Sequence, residues 1–293
     1  MSATALALVL GAAMLHAIWN VVAKKTGGDA RFALVTVLLM VSVWAPVGAW
    51  AAWNVVPLWG RLEWGVLLAS AIVHVVYFTT LLRGYRQSDL TVVYPVARGT
   101  GPLLASLGAV VWLGESMSAV AVMGVAAVAA GVFFIAGGTT LWARAHDPAQ
   151  RQRIRAGLGW GAATGALIAG YTLIDGYAVK VMLLSPILVD YIGNLFRVPF
   201  LLPAALRDPT GFAAIWRQQW RPALVVAVLG PLGFVLVLYA MTLAPLSHVA
   251  PAREVSMLFA ALFGGRFLGE GDRALRFVGA GCIAAGVAAL ALA

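Results

Sequence analysis

The chain is short of the residues from which soluble enzymes are built. It holds one cysteine, Cys282, and 11 acidic residues, and with 20 lysines and arginines only 11% of its 293 residues carry charge, against about a quarter in a soluble domain. A lone cysteine excludes a disulfide framework and a thiolate metal site. The four histidines, His16, His74, His146 and His248, are scattered, and no HExxH, GxSxG or P-loop occurs, so no nucleophile–base pair or metal cluster supports an enzyme. The N-terminus, Met1-Ser2-Ala3-Thr4, lacks a basic n-region. Its apolar run passes through Trp19-Asn20 into Lys24-Lys25, which describes a first transmembrane helix rather than a cleaved signal peptide.

What the chain has is apolar length. Hydrophobic residues make up 62% and the mean hydropathy is +0.93. A bilayer core about 30 Å thick takes roughly 20 apolar residues per helix, so the chain has room for about ten spans and no extramembrane catalytic domain. Apolar runs between charged or Gly/Pro breaks place the spans near 3–23, 31–52, 63–82, 90–113, 118–138, 157–179, 186–206, 221–242, 247–268 and 274–292. The net charge of +9 would point to nucleic acid in a soluble protein. Here the basic residues flank apolar runs, so they read as topology signals and the lipid bilayer as the partner.

The longest polar stretch, with Arg144, His146, Asp147, Arg151, Arg153 and Arg155, separates two sets of five spans: 1–138, a basic linker 139–156, and 157–293. A shift of 155 residues tests whether the halves are copies. It lays Gly114-Glu115 on Gly269-Glu270, Arg98 on Arg253, Gly124 on Gly279, Gly131 on Gly286, Asn20 on Asp175 and Lys25 on Lys180, all without gaps. Apolar sequence matches itself by chance, but paired Arg, Lys and Gly-Glu positions at one offset indicate an internal duplication. A unit of five spans and its copy cross the membrane in opposite senses, which gives inverted repeats, the architecture of alternating-access transporters.

Orientation follows from the basic residues. The odd-numbered connections between spans hold fifteen of them, the even ones only Arg61 and Lys180, and Arg98, Arg197 and Arg253 lie inside spans. The bias predicts odd connections in the cytoplasm, both termini outside, and residence in the plasma (inner) membrane.

Ten spans in five-plus-five, the Gly-Glu endings at Gly114-Glu115 and Gly269-Glu270, the Pro95–Arg98 and Pro251–Arg253 openings of the fourth and ninth spans, and His16-Ala17-Ile18-Trp19-Asn20 together resemble the EamA-like branch of the drug/metabolite transporter superfamily. The similarity covers essentially the whole chain, one repeat in each half. It implies an all-α polytopic membrane fold of ten transmembrane helices in two inverted five-helix repeats. It also implies a secondary carrier without a cofactor, a central cavity between the halves, and peripheral fifth and tenth spans where homodimers form. No fixed catalytic constellation is carried over.

Charges and polar faces inside the spans are the candidates for substrate contact. In the fourth span, Tyr94, Pro95, Arg98, Gly99, Gly101 and Pro102 predict a kink. Arg98 and its copy Arg253 are expected to grip a carboxylate, to form structural pairs with, for instance, Glu254 or a helix end, or to snorkel toward water. His16, Trp19 and Asn20 share a helical face, matched in the copy by Tyr171, Ile174 and Asp175. Asp175 is the candidate proton-coupling acid, with pairing to Lys180 or a nearby arginine near the membrane surface as the alternative. His74, Tyr77 and Phe78 form an aromatic stripe in the third span, and Tyr239 in the eighth is expected at a similar depth. In the seventh, Asp190, Asn194 and Arg197 form an i, i+4, i+7 line without charged counterparts in the first half. Asp190 and Arg197 are about 10 Å apart along the axis and are expected to find partners elsewhere. The Gly-Glu pairs read as helix caps. The repeated glycines of the fifth and tenth spans form a stripe that serves either packing within the chain or dimerisation.

Three cations, Arg98, Arg197 and Arg253, stand against three acids, Asp175, Asp190 and Glu254. Balanced charge with aromatic walls favours small zwitterionic metabolites, amino acids above all, moved outward by alternating access with or without protons. The alternatives are export of quaternary cations, other drugs or organic anions.

Overall fold

The structure is a computed structural model that describes residues 1–26, 29–88, 90–135, 147–263 and 273–293. Its helices are α1 (Ala3–Lys25), α2 (Ala30–Ala52), α3 (Arg61–Gln87), α4 (Leu90–Trp112), α5 (Ala119–Ile135), α6 (Pro148–Lys180), α7 (Pro186–Arg207), α8 (Pro209–Leu243), α9 (Leu246–Ala252), α10 (Ser256–Phe263) and α11 (Arg273–Leu292). A 3₁₀ turn, Arg253–Val255, joins α9 to α10, and there is no strand among the described residues. Six helices, α1, α2, α3, α6, α7 and α8, are individually long and apolar enough to cross a membrane. Gly269, Glu270, Trp142, Arg144 and His146, and the end of the expected ninth span, lie outside the described residues.

Local chemistry sets the helix starts. Asp29 caps α2 by accepting from the N–H groups of Arg31 and Phe32 at 2.9 and 3.1 Å. Asp208 caps α8, accepting from Gly211 N at 2.9 Å, with Pro209 in the first turn. Asp147 caps α6, with Pro148 in the first turn. A side-chain oxygen satisfies an N–H that the helix leaves free, and proline there sacrifices none. Asp147 thereby corrects the expected linker: from Pro148 onward that stretch is helix, continuous with the sixth span.

The two halves pack by exchange. α4 lies along α6, and in the counterpart pair α1 lies along α10 and the 3₁₀ turn that precedes it. α3 packs on α6 as α8 does on α1, and α3 on α7 as α8 does on α2; α2 meets α7, and α5 meets α11. Swapping each span for its copy returns these contacts, as two inverted units related by a pseudo-two-fold axis require, whereas the packing of α8 on α6 and α7 has no comparable counterpart of α3 on α1 and α2.

Glycine sets how closely these pairs approach. A Cβ built on Gly131 would sit 2.6 Å from the Gly279 carbonyl and 2.8 Å from Ile283 N, and one on Gly124 3.0 Å from the Gly286 carbonyl. The stripe expected at a packing or dimer surface therefore joins α5 to α11 within one chain. Backbone cannot retreat, so Gly131→Ala is expected to cost about 1–3 kcal/mol, read as a lower melting temperature in detergent. A second stripe, Gly157, Gly161 and Gly165, escaped the sequence reading although its four-residue spacing is plain. It seats α4, with the Gly161 Cβ position 2.7 Å from Val96 Cβ. The offset places Ser2, Leu6 and Leu10 at the matching positions, so only one half has it.

The ladder breaks in the ninth span. α4 is continuous through Pro95 and Pro102, so the kink expected there can be only a bend within one helix and not a break. Span nine stops at Ala252, turns through 3₁₀ geometry and resumes at Ser256. Pro251 lacks the N–H that would bond the Ser247 carbonyl four residues back. Ser106 of α4 takes that place, its hydroxyl donating to the Ser247 carbonyl at 2.9 Å.

Candidate functional site

The break places Arg253, Glu254 and Ser256 against the middle of the first half. Arg98 of α4 forms an ion pair with Glu254, Nε to Oε2 2.9 Å, and its Nη2 donates to Ser256 Oγ at 3.1 Å. Its guanidinium lies 6.0 Å from the Tyr94 ring centre. Arg98 and Glu254 are both buried. Of the expectations for Arg98, the structural ion pair is what the fold contains. Its copy Arg253 is equally buried, and its Nε has no hydrogen-bond partner.

Asp175 of α6 is 1% exposed. Ser70 of α3 donates to its Oδ1 at 2.5 Å, while Oδ2 has no partner. The expected alternative, pairing with Lys180, does not occur, because Lys180 binds Glu115 at 2.7 Å. The charges of Arg197, Asp190 and Arg253 all act on Asp175, yet neither Asp175 nor Arg253 has an ion-pair partner among the described residues.

The line on α7 is linked along its own helix, where Asp190 and Arg197 were expected to be too far apart to meet without partners elsewhere. Asn194 donates to Asp190 Oδ2 at 3.1 Å, and Arg197 Nη1 donates to Asn194 Oδ1 at 3.0 Å. One amide can serve both because it carries an acceptor and donors on one planar group. Arg197 Nε is left buried without a partner.

Aromatic rings wall the same region. His74 stacks on Tyr171 with ring centres 3.9 Å apart, Tyr77 meets Tyr171 edge-on at 5.6 Å, and Phe234 of α8 meets His74 edge-on at 6.0 Å. His74 Nδ1 is 2.9 Å from the Ser70 carbonyl, so the serine that holds Asp175 also sets the imidazole. His16 of α1 lies within range of the charges of Arg98 and Arg253.

Three expected members stand apart. Trp19 makes an edge contact with His16 but packs against the apolar cluster of Phe32, Val35, Ala223 and Val226. Asn20 donates to its own helix, to the His16 carbonyl at 2.7 Å. Tyr239 is exposed near the end of α8, beside Lys180 and Thr242. The 155-residue offset pairs Tyr239 with Gly84 rather than with His74, so the repeat itself contradicted the expected depth. Phe234 and Ser70 were missed. An isolated phenylalanine or serine in an apolar span carries no sequence signal, although Ser70 shares a face with His74 at i, i+4.

Gly114 and Glu115 divide the capping role. Gly114 has φ +67°, a left-handed C-cap that glycine adopts without strain. Glu115 leaves its own helix pair: its Oε1 accepts from Leu246 N at 2.7 Å and its Oε2 from Ser247 N at 2.9 Å, at the start of α9, and Lys180 Nζ donates to Oε1. Ser118 caps α5 instead. Burial works to raise the Glu115 pKa, but the Lys180 ammonium and the two backbone N–H groups outweigh it and hold the carboxyl below its ordinary value.

Two five-helix units of opposite sense, with buried charges where they meet, define a membrane carrier. The EamA-like transporter family matches residues 3–137 and 155–292, one match in each half, and the chain belongs to that family. It is therefore a multi-pass membrane transporter of the drug/metabolite type. A solved structure titled "Crystal structure of protein" has the same fold, with TM-score 0.73, 17% identity, and coverage of 100% of this chain and 98% of that one. No curated protein matches.

Proposed function

We propose that the chain exports small zwitterionic metabolites, amino acids with apolar or aromatic side chains first among them, across the plasma (inner) membrane by alternating access. The observation that carries this reading is the pair of unmatched charges. Asp175 and Arg253 are buried without an ion-pair partner among the described residues, and Asp175 Oδ2 and Arg253 Nε make no hydrogen bond, whereas Arg98 is paired with Glu254 and Asp190 is linked through Asn194 to Arg197. A buried charge without a partner is costly, and a ligand with an ammonium and a carboxylate relieves one at each end. Asp175 takes the ammonium, Arg253 the carboxylate, and the rings of His74, Tyr77, Tyr171 and Phe234 take the side chain. Both termini and the even connections face outward in this reading, on the strength of the lysine and arginine bias. Asp175 also serves as the proton-carrying group.

One observation favours a second reading: an acid without a salt-bridge partner suits a lipophilic cation. Arg253, equally unmatched, opposes it. Proteoliposomes containing the purified protein are expected to take up labelled leucine and phenylalanine above protein-free vesicles and to leave tetraphenylphosphonium uptake at background. Uptake of the cation alone would replace the amino-acid reading with the second one.

A further inference from the structure

Beside the Glu115 latch lies a crevice of about 360 Å³, within the range of ligand pockets. Lys180, Ser185, Pro186, Leu183, Tyr239 and Thr242 line it, at the membrane face that carries the even connections. Lys180 is half-buried there, shared between Glu115 Oε1 at 2.7 Å and the Ala244 carbonyl at 3.1 Å. The crevice also meets the start of α7, whose N-cap Ser185 makes no side-chain capping bond. An ammonium and a helix N-terminus are both positive, and no acidic side chain lines the crevice among the described residues.

Glu115 itself joins three parts. It sits after α4 of the first half, holds Lys180 at the end of α6, and caps the start of α9, both in the second half. At this face it fastens the end of α4 in one repeat to two elements of the other. Lys180 is the member that the crevice reaches, so a competing anion can displace Glu115 from it.

We propose that this crevice is a second binding site, for a small organic carboxylate, and that its occupation draws Lys180 away from Glu115 and frees the start of α9, opening this face. A carrier of any substrate would show the effect, because the site and its latch are separate from Asp175 and Arg253. The carboxylate accepts from Lys180 Nζ, and Glu115 loses its countercharge; a partly buried carboxylate left without one is drawn toward water, which takes it off the Leu246 and Ser247 N–H groups.

The test uses the full-length protein in detergent with its one native thiol removed by Cys282→Ser and a reporter introduced by Ser247→Cys, at a position that is fully buried. Maleimide labelling of this cysteine is expected to be slow. Benzoate, as the probe, is expected to speed it by at least about fivefold, the lower end of usual coupling between sites, whereas benzyl alcohol leaves it unchanged. Glu115→Gln and Lys180→Gln are each expected to label fast without benzoate and to gain nothing from it. Labelling that ignores benzoate overturns the binding site, and slow labelling of Glu115→Gln overturns the latch. A second measurement avoids the reporter altogether: benzoate is expected to shift the melting temperature of the native chain and not of Lys180→Gln, and equal shifts in both would refute the assignment. Failure of amino-acid uptake would leave either result standing.

Discussion

Asp175→Asn is expected to lower amino-acid transport about a hundredfold, or about 3 kcal/mol, the usual loss when one partner of a buried charge pair is removed. The protein should remain folded. Asparagine keeps an oxygen to accept the Ser70 hydroxyl, now at 2.5 Å from Oδ1, and removes a charge that has no ion-pair partner in the substrate-free fold. Loss of transport therefore has to come from the ammonium site or from the proton. The two separate experimentally: if Asp175 only carries the proton, Asp175→Asn stops accumulation driven by a pH gradient and preserves exchange of labelled for unlabelled substrate. If it also holds the ammonium, both fall. Wild-type exchange and accumulation in this variant would remove Asp175 from the site.

Arg98→Gln is expected to act on stability. Glu254 is 1% exposed and Arg98 is its ion-pair partner, so the substitution buries an uncompensated carboxylate at a cost of about 3–5 kcal/mol. Against a total stability of about 5–15 kcal/mol, that should show as aggregation or a sharply lower melting temperature in detergent. The double variant Arg98→Gln, Glu254→Gln is expected to recover most of the loss, because two amides of similar shape can bond each other where the ions did. A folded single variant with a normal melting temperature and lost binding would instead make Arg98 a substrate ligand. Arg98 and Arg253 occupy one position in two copies, and the prediction is that they have parted: one holds the bundle together and the other is left for the substrate.

That division shows what the sequence could and could not carry. The duplication, ten spans and helix type follow from apolar runs and a single 155-residue offset, because inserting helices in lipid imposes strong constraints on length and pattern. The N-caps Asp29 and Asp208, each just ahead of its helix, obey short-range chemistry although the sequence reading passed over them, and the C-cap at Gly114 follows from the same chemistry. Pairing across the bundle does not. Arg98 had several readings until Glu254 was found beside it, and the reason lies in Pro251: the freed Ser247 carbonyl, bonded by Ser106, accompanies the break that turns Arg253 and Glu254 to different environments. Glu115 was legible as a residue at a span end but not as the cap of a helix about 130 positions later. The relay from Asp190 through Asn194 to Arg197 was hidden in plain spacing, since each link is within one turn although the ends are two turns apart.

The most direct test of the zwitterion site is a competition measurement on labelled phenylalanine in proteoliposomes, using phenethylamine, which lacks the carboxylate, and 3-phenylpropionate, which lacks the ammonium. Each analogue is expected to compete at least about tenfold more weakly than phenylalanine itself, because each leaves one buried charge unmet. In the purified Arg253→Gln variant phenethylamine should bind as tightly as phenylalanine, and in Asp175→Asn 3-phenylpropionate should do so, since the end that distinguishes them then has no partner. Analogues that match phenylalanine in the native protein, or penalties that survive both substitutions unchanged, would contradict the assignment of Asp175 and Arg253 to the two ends of the substrate.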